Sequence, residues 1–186
     1  MYYQLSDFYK RDVYFVYNIE LNKIHRFDLV NCKAIESNDL LIYNIDKIDI
    51  YLNDYDILPT FDAPLISAKF KILLENICNK EEIQFINTII IDKNKNENKN
   101  FYILNILNKA EVLDKEKSTY EVDEDDFYTI QKAYYIPNSL GEKSIVRMEE
   151  HKSYIIVNEE FKKRCEEAGL KGVEFVEEGH TIYTDI

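Results

Sequence analysis

The sequence predicts an α+β protein: a mostly antiparallel, twisted sheet with two main helices packed on one face. Three observations predict it. Short β-branched and aromatic runs recur between Asp and Asn residues; two segments carry helix-start signals ahead of apolar residues spaced three and four apart; and 46% of the 186 residues are apolar, enough for a sizeable core. A chain of this length is expected to form one domain over 1–186, strand-rich in residues 1–55 and distinct in pattern over 56–178.

Taken in order, Tyr14–Tyr17, Ile24–Val30, Leu40–Tyr43 and Ile48–Leu52 read as strands joined by turns. Pro59 and Pro64 make LPTFDAPLI an extended connector, because proline disfavours helix at the residue ahead of it. Ser67 then supplies an N-cap, and Phe70, Leu73, Leu74 and Ile77 fall on one stripe of a helix reaching Asn79. Ile83–Ile91 reads as a strand buried on both faces. The polar run Lys93–Asn100 is expected to be a solvated loop, since nothing in it offsets the entropy of ordering, and Phe101–Leu107 returns as the second strand of a long hairpin.

Ser118–Asp126 is polar and acidic, and beyond it Ile130–Ile136, Ile145–Met148 and Tyr154–Val157 read as three further strands. Asn158 caps a second helix running to Ala168, with Glu159 and Glu160 at the positive end of its dipole and Phe161, Cys165 and Ala168 on its buried face. Gly169 stands where a left-handed residue ends a helix, Leu170 packs back over the last turn, and Val173–Val176 resumes as a strand. The two helical units are alike. Ser67-x-x-Phe70-Lys71-x-x-Leu74-Glu75 ahead of Ile83-Gln84-Phe85 matches Asn158-x-x-Phe161-Lys162-x-x-Cys165-Glu166 ahead of Val173-Glu174-Phe175, with one gap. Either two amphipathic helices have converged on the same positions or the chain holds an internal repeat, which different crossings onto the sheet would reject.

Charge narrows the function. Lys and Arg total 23 against 35 Asp and Glu, a net charge of −12, so the field repels phosphate backbones and speeds encounter with a basic protein partner. Nucleic acid is therefore not an expected ligand. Cys32, Cys78 and Cys165 are odd in number and widely spaced, which fits a reducing cytoplasm better than a disulfide framework. The opening MYYQLSDFYKRDVYF lacks a secretory pattern, and no run approaches the roughly 18 apolar residues that a membrane-spanning helix needs.

Catalytic constellations are not legible. His25 lies beside Arg26, and His151 and His180 lie near acidic residues in expected turns, with no pairing of base and nucleophile legible about them, and Cys165 and Cys78 sit at helix positions suited to small core residues. The run Asp123-Glu124-Asp125-Asp126 lacks the alternating ligands, turn glycine and distal Glu of a calcium loop. No metal or cofactor is expected. A solvated acidic loop is one reading of the run; the other is a partner-binding patch of Asp123, Glu124, Asp125 and Asp126 with Tyr128, drawing on the contact area that the 15 Tyr offer.

Further strings resemble a known family. Ser67-Ala68-Lys69-Phe70-Lys71 with Ile83-Gln84-Phe85, Tyr102-Ile103-Leu104-Asn105-Ile106-Leu107 with Leu113-Asp114, and Lys117-Ser118 resemble the bacterial immunity protein 11 family of polymorphic toxin systems. Ile145-Val146-Arg147-Met148, Ile155-Ile156-Val157-Asn158-Glu159 and Ala168-Gly169-Leu170-Lys171-Gly172-Val173-Glu174-Phe175 look like its closing pattern, with Val146 where an aromatic is more usual. The likeness covers about residues 55–178 and leaves 1–50 unmatched. It implies a cytoplasmic protein that neutralises a cognate toxin encoded nearby, with no catalytic residues carried over; the free protein is expected to be a monomer. Two rivals stand beside this reading: a hydrolase using carboxylates that folding brings together, and a self-associating scaffold domain suggested by the apolar N-terminal strands.

Overall fold

The structure is a computed structural model, which describes residues 1–36 and 39–180. It begins with β1 (Tyr2–Asp7), β2 (Val16–Tyr17), a short helix α1 (Arg26–Val30) and β3 (Leu41–Ile45). After a 3-10 turn at Leu52–Asp54 come β4 (Ile57–Leu58), β5 (Leu65–Ser67), α2 (Ala68–Ile77), β6 (Ile83–Asp92), β7 (Glu97–Asn98), β8 (Phe101–Ile106) and β9 (Lys109–Ala110). The remaining elements are β10 (Thr119–Val122), β11 (Tyr128–Lys132), β12 (Ile145–Met148), β13 (Ile155–Asn158), α3 (Glu159–Glu167) and β14 (Val173–Glu177).

The α+β class holds, but the single, mostly antiparallel sheet does not. One sheet runs β2-β3-β6-β8-β5-β4 with β7 on β6, a second runs β14-β1-β13-β12-β9, and β10 and β11 form a separate hairpin. Both large sheets are mixed: β3 runs parallel to β6, and β9 parallel to β12. Each parallel pair joins strands separated by intervening elements, as parallel pairing demands, since a tight turn can only reverse the chain. Phe70 and Leu74 of α2, Phe161 and Cys165 of α3, and residues from both sheets, among them Leu5, Ile66, Leu104, Ile145 and Val157, form one core cluster. Of the expected core positions, Phe70, Leu74, Phe161 and Cys165 are buried, while Leu73, Ile77 and Ala168 are half-buried.

Three local expectations fail for visible reasons. Ile24–Val30 is not a strand: the His25 side chain accepts from the Phe27 amide, opening α1, whose Leu29 is buried. Ile48–Leu52 is not one either. The Asp46 and Asp49 carboxylates take the backbone N–H groups of Lys47 and Tyr51, Arg11 clamps both carboxylates, and the chain turns instead of pairing. The segment Lys93–Asn100 is more ordered than a solvated loop, because Asp92 accepts from Asn94 and Asn96, and β7 folds back to pair Glu97 and Asn98 with Ile91 and Ile90.

The likeness between the two helical units continues into their pairing. In the first, β5 and β6 flank the antiparallel strand β8; in the second, β13 and β14 flank β1. The cap residue Ser67 lies opposite Phe101, and Asn158 opposite Tyr2. Aligning Phe101 with Tyr2 brings the other edge into identical register: Ile83–Ile106, Phe85–Leu104 and Asn87–Tyr102 match Val173–Asp7, Phe175–Leu5 and Glu177–Tyr3. Leu107 N–H donates to Glu82 O and Phe8 N–H to Gly172 O, both at 2.8 Å. The Ser67 and Asn158 side chains accept from the third residue beyond, and Lys71 and Lys162 lie over the equivalent rings of Tyr102 and Tyr3. Convergence of two amphipathic helices does not require a shared strand register. The central strand follows its unit in one case and precedes it in the other, which places β1 inside a sheet built otherwise from the second half of the chain.

Candidate functional site

The acidic run forms the turn of the β10–β11 hairpin, where Val122 pairs with Tyr128 and Glu121 with Thr129. Asp123 builds the turn: its Oδ1 accepts from the amides of Asp125 at 3.0 Å and Phe127 at 2.8 Å, while Asp126 takes a left-handed conformation with φ of +61°. Glu124, Asp125 and Asp126 are exposed beside it. Phe127 follows them with 57% of its surface open, and Val122 is 43% open, so the tip carries apolar area among carboxylates. Tyr128 points elsewhere. It is half-buried, stacked on Tyr120 with ring centres 5.4 Å apart, and the Lys115 ammonium lies over its face. The hairpin is rooted by Ile130, which with Ala133 and Tyr135 enters a core cluster that also holds Leu113, Val146 and Ile156.

Phe127 was not singled out by sequence reasoning; an aromatic directly after an acidic turn was the available signal. Its ring rests on His151 at 5.1 Å, and His151 stacks on Tyr154 at 4.0 Å. Burial pushes the His151 imidazole below its ordinary 6.5. The neutral ring is therefore the folded form, and below 6.5 the unfolded chain binds more protons than the folded one. The stability this site contributes should be fully present above pH 6.5 and should decline as the pH falls through the folded-state value. An NMR titration placing His151 at or above 6.5 would refute that.

The remaining reactive groups are buried, half-buried or placed at caps and turns. Burial pushes the Cys165 thiol up to about 12, and raises those of Cys78 and Cys32, which disfavours a thiolate nucleophile. His25 caps α1, and His180 closes a turn by donating its amide to Glu177 O. Arg147 is wholly buried and forms no ion pair with a carboxylate among the described residues, donating instead to the carbonyls of Lys152 at 2.6 Å and Asp62 at 2.9 Å. Among the described residues no group of three or more His, Cys, Asp or Glu could hold a metal ion.

The hydrolase reading calls for two perturbed carboxyls in a pocket, and one cleft brings Asp7 and Asp62 together with Ser153. Burial raises the Asp62 carboxyl against the pull of Arg26 and Arg147. Loss of water and repulsion from Glu174 lift Asp7 to about 6, although the residue is exposed and solvent screens that shift. The cleft holds about 80 Å³. Small-molecule sites ordinarily enclose about 300 Å³ or more, so this one lacks room for a substrate. Asp62 is moreover engaged by Arg26 at 3.6 Å.

These features define a class: an acidic α+β protein whose β10–β11 hairpin carries an exposed turn of carboxylates flanked by Val122 and Phe127. The sequence model of the Imm11 immunity protein family matches residues 50–179, more than half of the chain, and the chain belongs to that family. No curated protein matches it. The match begins close to where the sequence resemblance does, and β1, which lies outside it, pairs with two strands that lie within it.

Proposed function

We propose that the protein binds a cognate bacterial toxin in the cytoplasm and neutralises it without catalysis. Membership of the immunity family carries this reading. The net charge of −12 supports a basic toxin as the partner and weighs against nucleic acid and anionic membrane surfaces. No helix among the described residues is long and apolar enough to cross a membrane. The free protein acts as a monomer, and Asp123, Glu124, Asp125 and Asp126 form the patch that steers the toxin in, with Phe127 as its apolar anchor and Tyr128 bracing the hairpin behind it.

Co-expression with the product of the neighbouring gene tests the reading: cells should survive a dose of that product that kills them alone, and equal killing would sink it. Replacing Asp123, Asp125 and Asp126 by Asn and Glu124 by Gln keeps the turn's acceptors while removing its charge. The association rate should then drop about tenfold at low salt, with a smaller change at high salt. An unchanged rate would remove the hairpin from the encounter surface.

A further inference from the structure

The register shared by the two helical units shows what the second one lacks. In the first unit Gln84 of β6 holds the backbone of Ile35: its side-chain amide donates to Ile35 O and accepts from Ile35 N–H, each at 2.9 Å. From Thr88 onward β3 then lies along the outer side of β6 as a further strand. The second unit places Glu174 of β14 at the position of Gln84, opposite Ser6 as Gln84 is opposite Asn105. Among the described residues no strand pairs with the outer side of β14.

That outer side is chemically ready for a strand. The Phe8 N–H to Gly172 O bond marks one hydrogen-bonded pair, so by antiparallel alternation Glu174 and Val176 bond to β1. The N–H and C=O groups of Val173 and Phe175 consequently point outward. Glu174 and Glu177 are exposed along the edge, and Asp7 lies exposed beside Glu174. A carboxylate only accepts, whereas the Gln84 amide both donates and accepts, so an occupant gripped by Glu174 must bring donors. A second copy of this edge would set Glu against Glu, which is how edge strands repel their own kind. A cationic strand meets no such repulsion.

We propose that the outer edge of β14 receives an extended, cationic segment of the partner toxin, added as a sixth strand to the five-stranded sheet. This rests on the immunity reading above and names the surface that carries it out. Backbone pairing with Val173 and Phe175 supplies the affinity, and Glu174 and Glu177 select the positive charge. The edge runs on to the root of the β10–β11 hairpin, where Gly179 N–H donates to Ala133 O at 2.8 Å just beyond β11.

The test uses the full chain and the product of the neighbouring gene. Hydrogen exchange at the Val173 and Phe175 amides should slow at least tenfold in the complex. Val173→Pro, which deletes an outward N–H that edge strands can spare, and the double change Glu174→Lys with Glu177→Lys should each weaken binding at least tenfold, with thermal midpoints close to the parent's. Wild-type rescue combined with unprotected amides, or with full-strength binding by both variants, overturns the edge while leaving the immunity reading intact. Absence of rescue by the wild type sinks both. Protection of the same amides in the free protein on raising its concentration overturns the proposal by assigning the edge to self-pairing.

Discussion

Phe161→Ala should lower the unfolding free energy by about 3–5 kcal/mol, read as a shift in the urea midpoint without a change in slope. The residue is 1% exposed and stands where the two helical units meet: its ring lies edge-to-face against Phe70 at 6.4 Å and Phe175 at 6.5 Å. Truncation removes the transfer energy of a large side chain, leaves a cavity in the core that both sheets share, and deletes two aromatic contacts worth about 0.5–1.5 kcal/mol each. Because Phe161 is also the residue whose amide the Asn158 cap holds, the cap itself should survive the change. A loss near zero would show that the side chain does not carry the core.

Gly172→Ala should cost about 2–4 kcal/mol, well beyond the roughly 1 kcal/mol expected for Gly169→Ala. Both glycines are left-handed, with φ of +83° and +59°. The difference is space. A Cβ on Gly169 meets nothing within 4 Å, whereas one on Gly172 would stand 2.6 Å from the Phe8 carbonyl oxygen and 2.9 Å from Tyr55 Cδ1. Relief would require moving β1 away from β14 at the point where Phe8 N–H bonds Gly172 O. Equal urea midpoints for the two variants would show that this approach is not what restricts the position.

The helices α2 and α3 were legible because their signals are local. Ser67 and Asn158 cap by side-chain acceptance from the third residue on, and the apolar spacing that follows names the buried face without any knowledge of the partner. The β6–β8 hairpin was legible for a similar reason: its strands are long, apolar and close in sequence. β1 was passed over although Tyr3 and Leu5 alternate with Gln4 and Ser6, because its partners lie across most of the chain and no nearby run suggested them. The division into two sheets was hidden for the same reason, since strand spacing does not say which edges meet. Ile24–Val30 and Ile48–Leu52 show the opposite failure, in which short polar side chains, His25 and Asp49, bond the backbone locally and outweigh β propensity.

The candidate site divides in the same way. The acidic turn could be read from composition, because four consecutive carboxylates cannot be buried. Phe127 resting on His151 is a tertiary fact, as is the side of β14 that no described strand pairs, opposite the side that β1 occupies. Glu174 looked like one surface acid among many until the matching register set it beside Gln84.

The insertion of β1 between β13 and β14 sets a timetable for synthesis. Tyr3 leaves the ribosome early, yet the Glu159 carboxylate that accepts its hydroxyl proton comes 156 residues later, and the strands on either side of it appear at the same late stage. Until then the apolar flank of this first strand must stay soluble without its sheet, and contacts of such long sequence separation make the closing step the slow one. Translation interrupted before Ile155 would yield a product in which β1 has neither neighbour, so the sheet closes once per finished molecule and never in such fragments.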